Sequence, residues 1–126
     1  MTDSDGPAPA TTVLVLSHDA VAAALLGGLV ETLGYDVRFA RMPETAEESM
    51  RRVRPRICLI GCDDSTLCSA ETLGRATMRG IAVLIFGSRE ALEQVRAIAA
   101  EHRIETIMLP PNMEELEDKL QRAVMA

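Results

Sequence analysis

Aromatic side chains are nearly missing from this sequence: one Tyr, two Phe and no Trp in 126 residues. Any hydrophobic core must therefore be aliphatic, made of Val, Ile, Leu, Ala and Met. Positive charge is also scarce. Thirteen Lys and Arg face nineteen Asp and Glu, for a net charge of −6. This excludes a surface built for nucleic acid or anionic membrane, which needs clustered cations. Long apolar runs are absent too, so no segment approaches the length of a membrane span. The first apolar run, Val13 to Leu16, is too short for a signal peptide, and acids rather than basic residues precede it. Cysteine is limited to Cys58, Cys62 and Cys68, with no CxxC pair, and His18 and His102 lie far apart. A disulfide framework and a zinc site are both disfavoured, and a reducing cytoplasm is the expected location.

What is present is ordinary globular material, 48% hydrophobic and 25% charged, enough in one domain to close a core without covalent staples. Residues 1–11 (MTDSDGPAPAT) read as a polar tail with nothing to bury, and residues 12–126 as the domain. TVLVL (12–16) is a continuous, β-branched run, as in a strand covered on both faces. A helix is expected over 19–33, with Val21, Leu25, Leu29 and Leu33 as its apolar stripe and Gly34 as its stop. Gly27 and Gly28 weaken that helix, so a close packing contact is expected there.

The same alternation repeats. YDVRFA (35–40) is the second strand. Pro43 starts a helix with Ala46, Met50 and Val53 inward, and Pro55 ends it. ICLIG (57–61) is the third strand, followed by a helix over 65–79 that stops at Gly80. AVLIF (82–86) is the fourth, followed by a helix capped by Ser88 with Leu92, Val95 and Ile98 inward. TIML (106–109) is the fifth, ended by Pro110 and Pro111. Asn112 then caps a last helix whose inner residues are Leu116, Leu120 and Val124.

Short strands alternating with helices imply a parallel sheet with right-handed crossovers and helices on both faces. Five such units predict a flavodoxin-like, doubly wound, three-layer αβα domain with strand order 2-1-3-4-5. In that architecture a site lies at the carboxyl ends of the first and third strands. Those ends are Ser17, His18 and Asp19, and Gly61 to Asp64.

The segments VLVLSHD, LGYDVRFA, RPRICLIG, VLIFGS and IMLPPNMEEL, spaced over residues 12–126, resemble the strand-end blocks of bacterial (CheY-like) response-regulator receiver domains. That resemblance implies two-component or phosphorelay signalling. It also implies a chemistry: an acidic pair after the first strand to hold Mg²⁺, an Asp after the third to take the phosphoryl group, a hydroxyl after the fourth, and a Lys followed by a cis Pro after the fifth. The matching positions here are Ser17, His18, Gly61, Gly87 and Pro110, with Ile107 at the aromatic switch position. None can take the family residue's role: glycine forms no acyl phosphate and proline donates no hydrogen bond.

The resemblance therefore implies a degenerate receiver, not an enzyme, with no cofactor and no strong Mg²⁺ binding. It would act as a phosphorylation-independent binding module for a histidine kinase, an output domain or another regulator. It could also pair with itself through the fourth helix, fifth strand and fifth helix. The Pro110–Pro111 peptide is expected to be cis. Asp19 and Ser88 read foremost as helix caps, and Cys58 as core with Cys62 a loop thiol. Asp63 and Asp64 are the alternative phosphoacceptors. A small-ligand domain on the same topology, for a nucleotide or a cobalamin-like cofactor, is the other reading. For cobalamin, Leu16 and Val21 stand where an Asp and a Gly are needed.

Overall fold

The protein is described by a computed structural model covering residues 10–62 and 67–125. Ten elements alternate: β1 Thr12–Leu16, α1 Ala20–Thr32, β2 Asp36–Phe39, α2 Ala46–Val53, β3 Ile57–Gly61, α3 Ala70–Met78, β4 Ala82–Gly87, α4 Arg89–Glu101, β5 Glu105–Met108 and α5 Met113–Met125. The strands form one parallel sheet in the order β2-β1-β3-β4-β5. This is the doubly wound αβα architecture of the CheY-like fold. Most of the expected tail lies outside the described residues. Just before β1, the Thr11 carbonyl accepts from Asp36 N at 2.9 Å.

Side-chain alternation along the central strands splits the core in two. Val13, Val15, Ile57, Leu59, Leu84 and Phe86 face α1 and α5, where Leu26, Val30, Leu116 and Leu120 cover them. Leu14, Leu16, Cys58, Ile60 and Ile85 face the other way, toward Met50 of α2, Leu73 and Ala76 of α3, and Ala99 of α4. β3 is buried along its whole length because it lies in the middle of the sheet with both faces covered.

Five expectations are corrected here. The buried face of α1 is Ala23, Leu26, Gly27 and Val30; Val21 and Leu25 are exposed. Gly27 explains the choice. A Cβ there would lie 2.6 Å from Cζ of Phe39, so α1 approaches β2 closely only along its glycine edge. α2 starts at Ala46, not at Pro43, because Thr45 and Glu48 form a reciprocal capping box. α3 starts at Ala70, five residues later than expected, where the Ser69 hydroxyl accepts from Thr72 N at 3.2 Å.

The fourth correction concerns β5, which runs one residue earlier than expected. Leu109 N donates to Gly87 O at 2.9 Å, and the chain leaves the sheet there. The cis peptides are Leu109–Pro110 and Met42–Pro43, not Pro110–Pro111.

Candidate functional site

A parallel sheet brings the carboxyl ends of its strands to one edge. The register pairs Leu16 with Ile60, Gly61 with Phe86 and Gly87 with Met108. Ser17, Gly61, Gly87 and Leu109 therefore end neighbouring strands, and the loops after them form the candidate site.

The polar groups of this edge serve the backbone. Asp19 is the N-cap of α1: its Oδ1 accepts from Val21 N and Ala22 N, both at 3.1 Å. The Ser17 hydroxyl accepts from Asp19 N at 3.0 Å. Ser88 caps α4 by accepting from Ala91 N at 3.2 Å. Asn112 caps α5 by accepting from Glu115 N at 3.1 Å. Each cap satisfies donors that the first helical turn leaves without partners. His18 is exposed beside them. Asp63 and Asp64, the alternative phosphoacceptors, lie outside the described residues.

Gly61 and Gly87 are buried, and a sulfur atom takes the space between the strand ends. Cys62 continues β3 by donating its N–H to Phe86 O at 3.0 Å. A Cβ on Gly87 would lie 2.5 Å from Cys62 Sγ and 3.5 Å from Ala91 Cβ. The thiol thus rests against the Gly87 backbone, in the volume where a side chain at position 87 would project. Cys68 Sγ donates to the Gly61 carbonyl at 3.6 Å. All three cysteines are buried, and burial alone pushes the Cys58 thiol far above its ordinary range. Cys62 lies in the turn just after β3, as expected, and its buried thiol is the packing partner of Gly87.

The flank of the site at the β2–α2 connection is held by Glu44, which sequence reasoning also missed. Its carboxylate accepts from Arg41 N and from Ser49 Oγ, both at 2.8 Å, and from Arg52, whose Nη2 lies at 2.9 Å. The same Arg52 nitrogen reaches Phe39 O at 3.0 Å. Ser49 is fully buried beneath this network. The Arg52 guanidinium first, and the Arg41 amide second, hold the Glu44 carboxyl at about 2, against an ordinary 4.5.

A depressed folded pKa adds stability that is fully present above the unfolded value and is lost as pH falls through the folded one. Glu44→Gln is therefore expected to unfold at lower urea than wild type at pH 7. The gap between the two should narrow as pH is lowered from about 5 to about 2. A gap independent of pH would mean that the carboxylate charge contributes nothing.

Along the neighbouring edge, α4, β5 and α5 frame a groove of about 490 Å³ that includes Arg89, Leu92, Arg96, Met108 and Lys119. Lys119 donates to Thr106 O of β5 and to Glu115 Oε1 at 2.8 Å. Met108 is half exposed on the edge strand.

No family model matches this chain, and no curated protein matches it. Solved structures do. A protein from Burkholderia pseudomallei described as pilus assembly-related is 26% identical, with a TM-score of 0.69 over 91% of this chain and 90% of that one. A protein from Burkholderia thailandensis described as a pilus assembly protein is also 26% identical, with a TM-score of 0.69 over 92% and 99%. A CheY-like response regulator receiver domain protein from Methanospirillum hungatei is 19% identical, with a TM-score of 0.70 over 92% and 94%. The chain has the fold of the receiver domains of two-component signalling.

Proposed function

We propose that this chain is a degenerate receiver, a non-enzymatic protein-interaction module of the bacterial cytoplasm whose contacts do not depend on phosphorylation. One observation carries the reading. The positions that match the phosphoryl chemistry of receiver domains hold Ser17, His18, Gly61, Gly87 and Pro110, and the nearby carboxylate of Asp19 is engaged as a helix cap. No pair of carboxylates remains among the described residues there to hold Mg²⁺, and no ammonium to offset phosphoryl charge.

The interaction face of this reading is the α4–β5–α5 groove, where exposed Met108 lies between Arg89 and Arg96 on one side and Lys119 on the other. Its partner is a histidine kinase, an output domain, another regulator or a second copy. The two 26% identical structures, both described in terms of pilus assembly, favour a partner in such an apparatus.

Mg²⁺ with acetyl phosphate, or with beryllofluoride, is expected to leave the amide NMR spectrum unchanged. Saturable shifts around residues 61–64 would overturn the proposal in favour of Asp63 or Asp64 as phosphoacceptor. Gly61→Asp alone is expected to stay inert in the same assay, because the other positions still lack their groups.

A further inference from the structure

Two of the three cysteines converge on one peptide unit at the end of β3. Cys68 Sγ donates to the Gly61 carbonyl at 3.6 Å, and that carbonyl belongs to the peptide whose N–H is that of Cys62. Across a trans peptide a carbonyl oxygen lies about 2.8 Å from the next Cα, so the Cys68 sulfur lies within about 6.4 Å of Cys62 Cα. Both side chains belong to the buried cluster on the α2, α3 and α4 side of the sheet, and each residue is 5% exposed. A sulfur moves about 3 Å between staggered wells, so rotation at the two Cα–Cβ bonds spans a gap of this size.

Cys58 is placed differently. It lies inside β3, paired to Leu14 on one side and Val83 on the other, and is fully buried. It stands four residues before Cys62, about 13 Å along the strand, too far to bond to it. Cys62 and Cys68 lie where the chain leaves the sheet, one in the turn after β3 and the other just before α3. Among the described residues, no third metal-ligating side chain completes a group with them.

From these contacts we infer that Cys62 and Cys68 are a redox pair, oxidised reversibly by hydrogen peroxide to an intramolecular disulfide. The peroxide first takes one thiol to a sulfenic acid and releases one water. The second sulfur then attacks the first, the hydroxyl leaves with the second thiol's proton as another water, and the S–S bond forms. Two electrons pass from the sulfur pair to the O–O bond, and a dithiol reductant reverses the change. Disulfides of a reducing compartment are typically transient and redox-sensing. The bond ties the end of β3 to the residues before α3, and one of its sulfurs is the one that rests against Gly87. The inference does not rest on the degenerate-receiver reading, which the acetyl phosphate assay tests by itself.

The test adds hydrogen peroxide to the reduced, folded chain and then alkylates the remaining thiols in denaturant. The chain is expected to lose the mass of two hydrogens and to take up a single alkyl group, on Cys58. Proteolysis at Asp63 puts Cys58 and Cys62 on one fragment and Cys68 on the other. Those fragments are expected to stay joined until a reductant is added. Amide NMR signals of Gly61, Cys62 and Gly87 are expected to shift on oxidation, in a spectrum that keeps the dispersion of a folded domain. Cys58→Ala is expected to oxidise as wild type does, and Cys62→Ala and Cys68→Ala to form no internal bond. Where an alanine variant does not fold, the fragment map of the wild-type chain decides. Three alkylatable thiols after peroxide would overturn the inference. So would a bond that includes Cys58, a bond that forms only in denaturant, or sulfinic acid or chain-to-chain disulfides in place of the internal bond.

Discussion

Gly87→Thr is expected to lower the stability of the domain by about 2 kcal/mol, although it restores a hydroxyl where receiver domains have one. The reason is the sulfur atom behind it. A Cβ at position 87 would lie 2.5 Å from Cys62 Sγ, about 1 Å inside ordinary contact. Cys62 has a single side-chain torsion, and its thiol is 5% exposed in a packed cluster, so relief means moving it to another staggered well among neighbours with little room. Some of the cost is offset, because a β-branched residue suits a strand better than glycine does.

A double-mutant cycle isolates the steric part. Cys62→Ala alone is expected to cost about 1 kcal/mol as a lost buried group. In the Cys62→Ala background Gly87→Thr is expected to be close to neutral, giving a favourable coupling of about 1–2 kcal/mol. Urea denaturation of the four proteins measures it, and effects that add would show that the thiol and the glycine do not compete for one volume. On the proposed reading the double variant is still expected to remain inert to acetyl phosphate, since it regains a hydroxyl while position 61 is still a glycine.

That cycle also shows where sequence reasoning stops. β1 and β3 were legible to the residue, because buried parallel strands are short, continuous, β-branched runs with turn residues at both ends. The strand order followed from alternation alone. The helices were less legible, and for different reasons. α1 is apolar almost all round, so several stripes satisfy the helical period. The side that faces the sheet was chosen by Gly27 against Phe39, a contact between residues twelve positions apart.

α3 starts at Ala70 because the Ser69 side chain caps it, and no local rule singles out that Ser in advance. The β5 shift of one residue came from assigning the strand by its apolar letters, whereas Glu105 already pairs with Leu84. At the candidate site the strand ends Ser17, Gly61 and Gly87 could be named from spacing. The group that fills the gap could not, because Cys62 and Gly87 meet only across two strands. Glu44 was likewise invisible, as its partners Arg41, Ser49 and Arg52 converge on it only once the β2–α2 connection is folded. A tight pair of acid and base in that segment, Glu44 with Arg52 eight residues on, was the available signal.

Phe86→Ala is expected to have the largest effect of any single truncation, about 3–5 kcal/mol. The chain has three aromatic residues, and Phe86 is the fully buried one, 1% exposed near the end of β4. Its ring faces the α1 and α5 layer with Val15, Leu59, Ile107 and Leu116. Aliphatic neighbours held by two helices and three strands do not collapse into a phenyl-sized hole, so both the lost transfer energy and the cavity count against the fold. The expected loss is a large part of the roughly 5–15 kcal/mol available to a domain of this size.

Phe86→Leu, which keeps most of the volume, is expected to cost about 1.5 kcal/mol or less. The urea midpoint of each variant measures the loss, with the slope of the transition unchanged if only the folded core is affected. The backbone at position 86 has a second role, because its carbonyl accepts the Cys62 N–H and its register partner is Gly61. Hydrogen exchange at Cys62 is therefore expected to quicken in Phe86→Ala along with the global transition. A cost under about 1 kcal/mol for the alanine variant would mean that this aliphatic core closes over the missing ring, and that the sheet does not depend on its one buried aromatic.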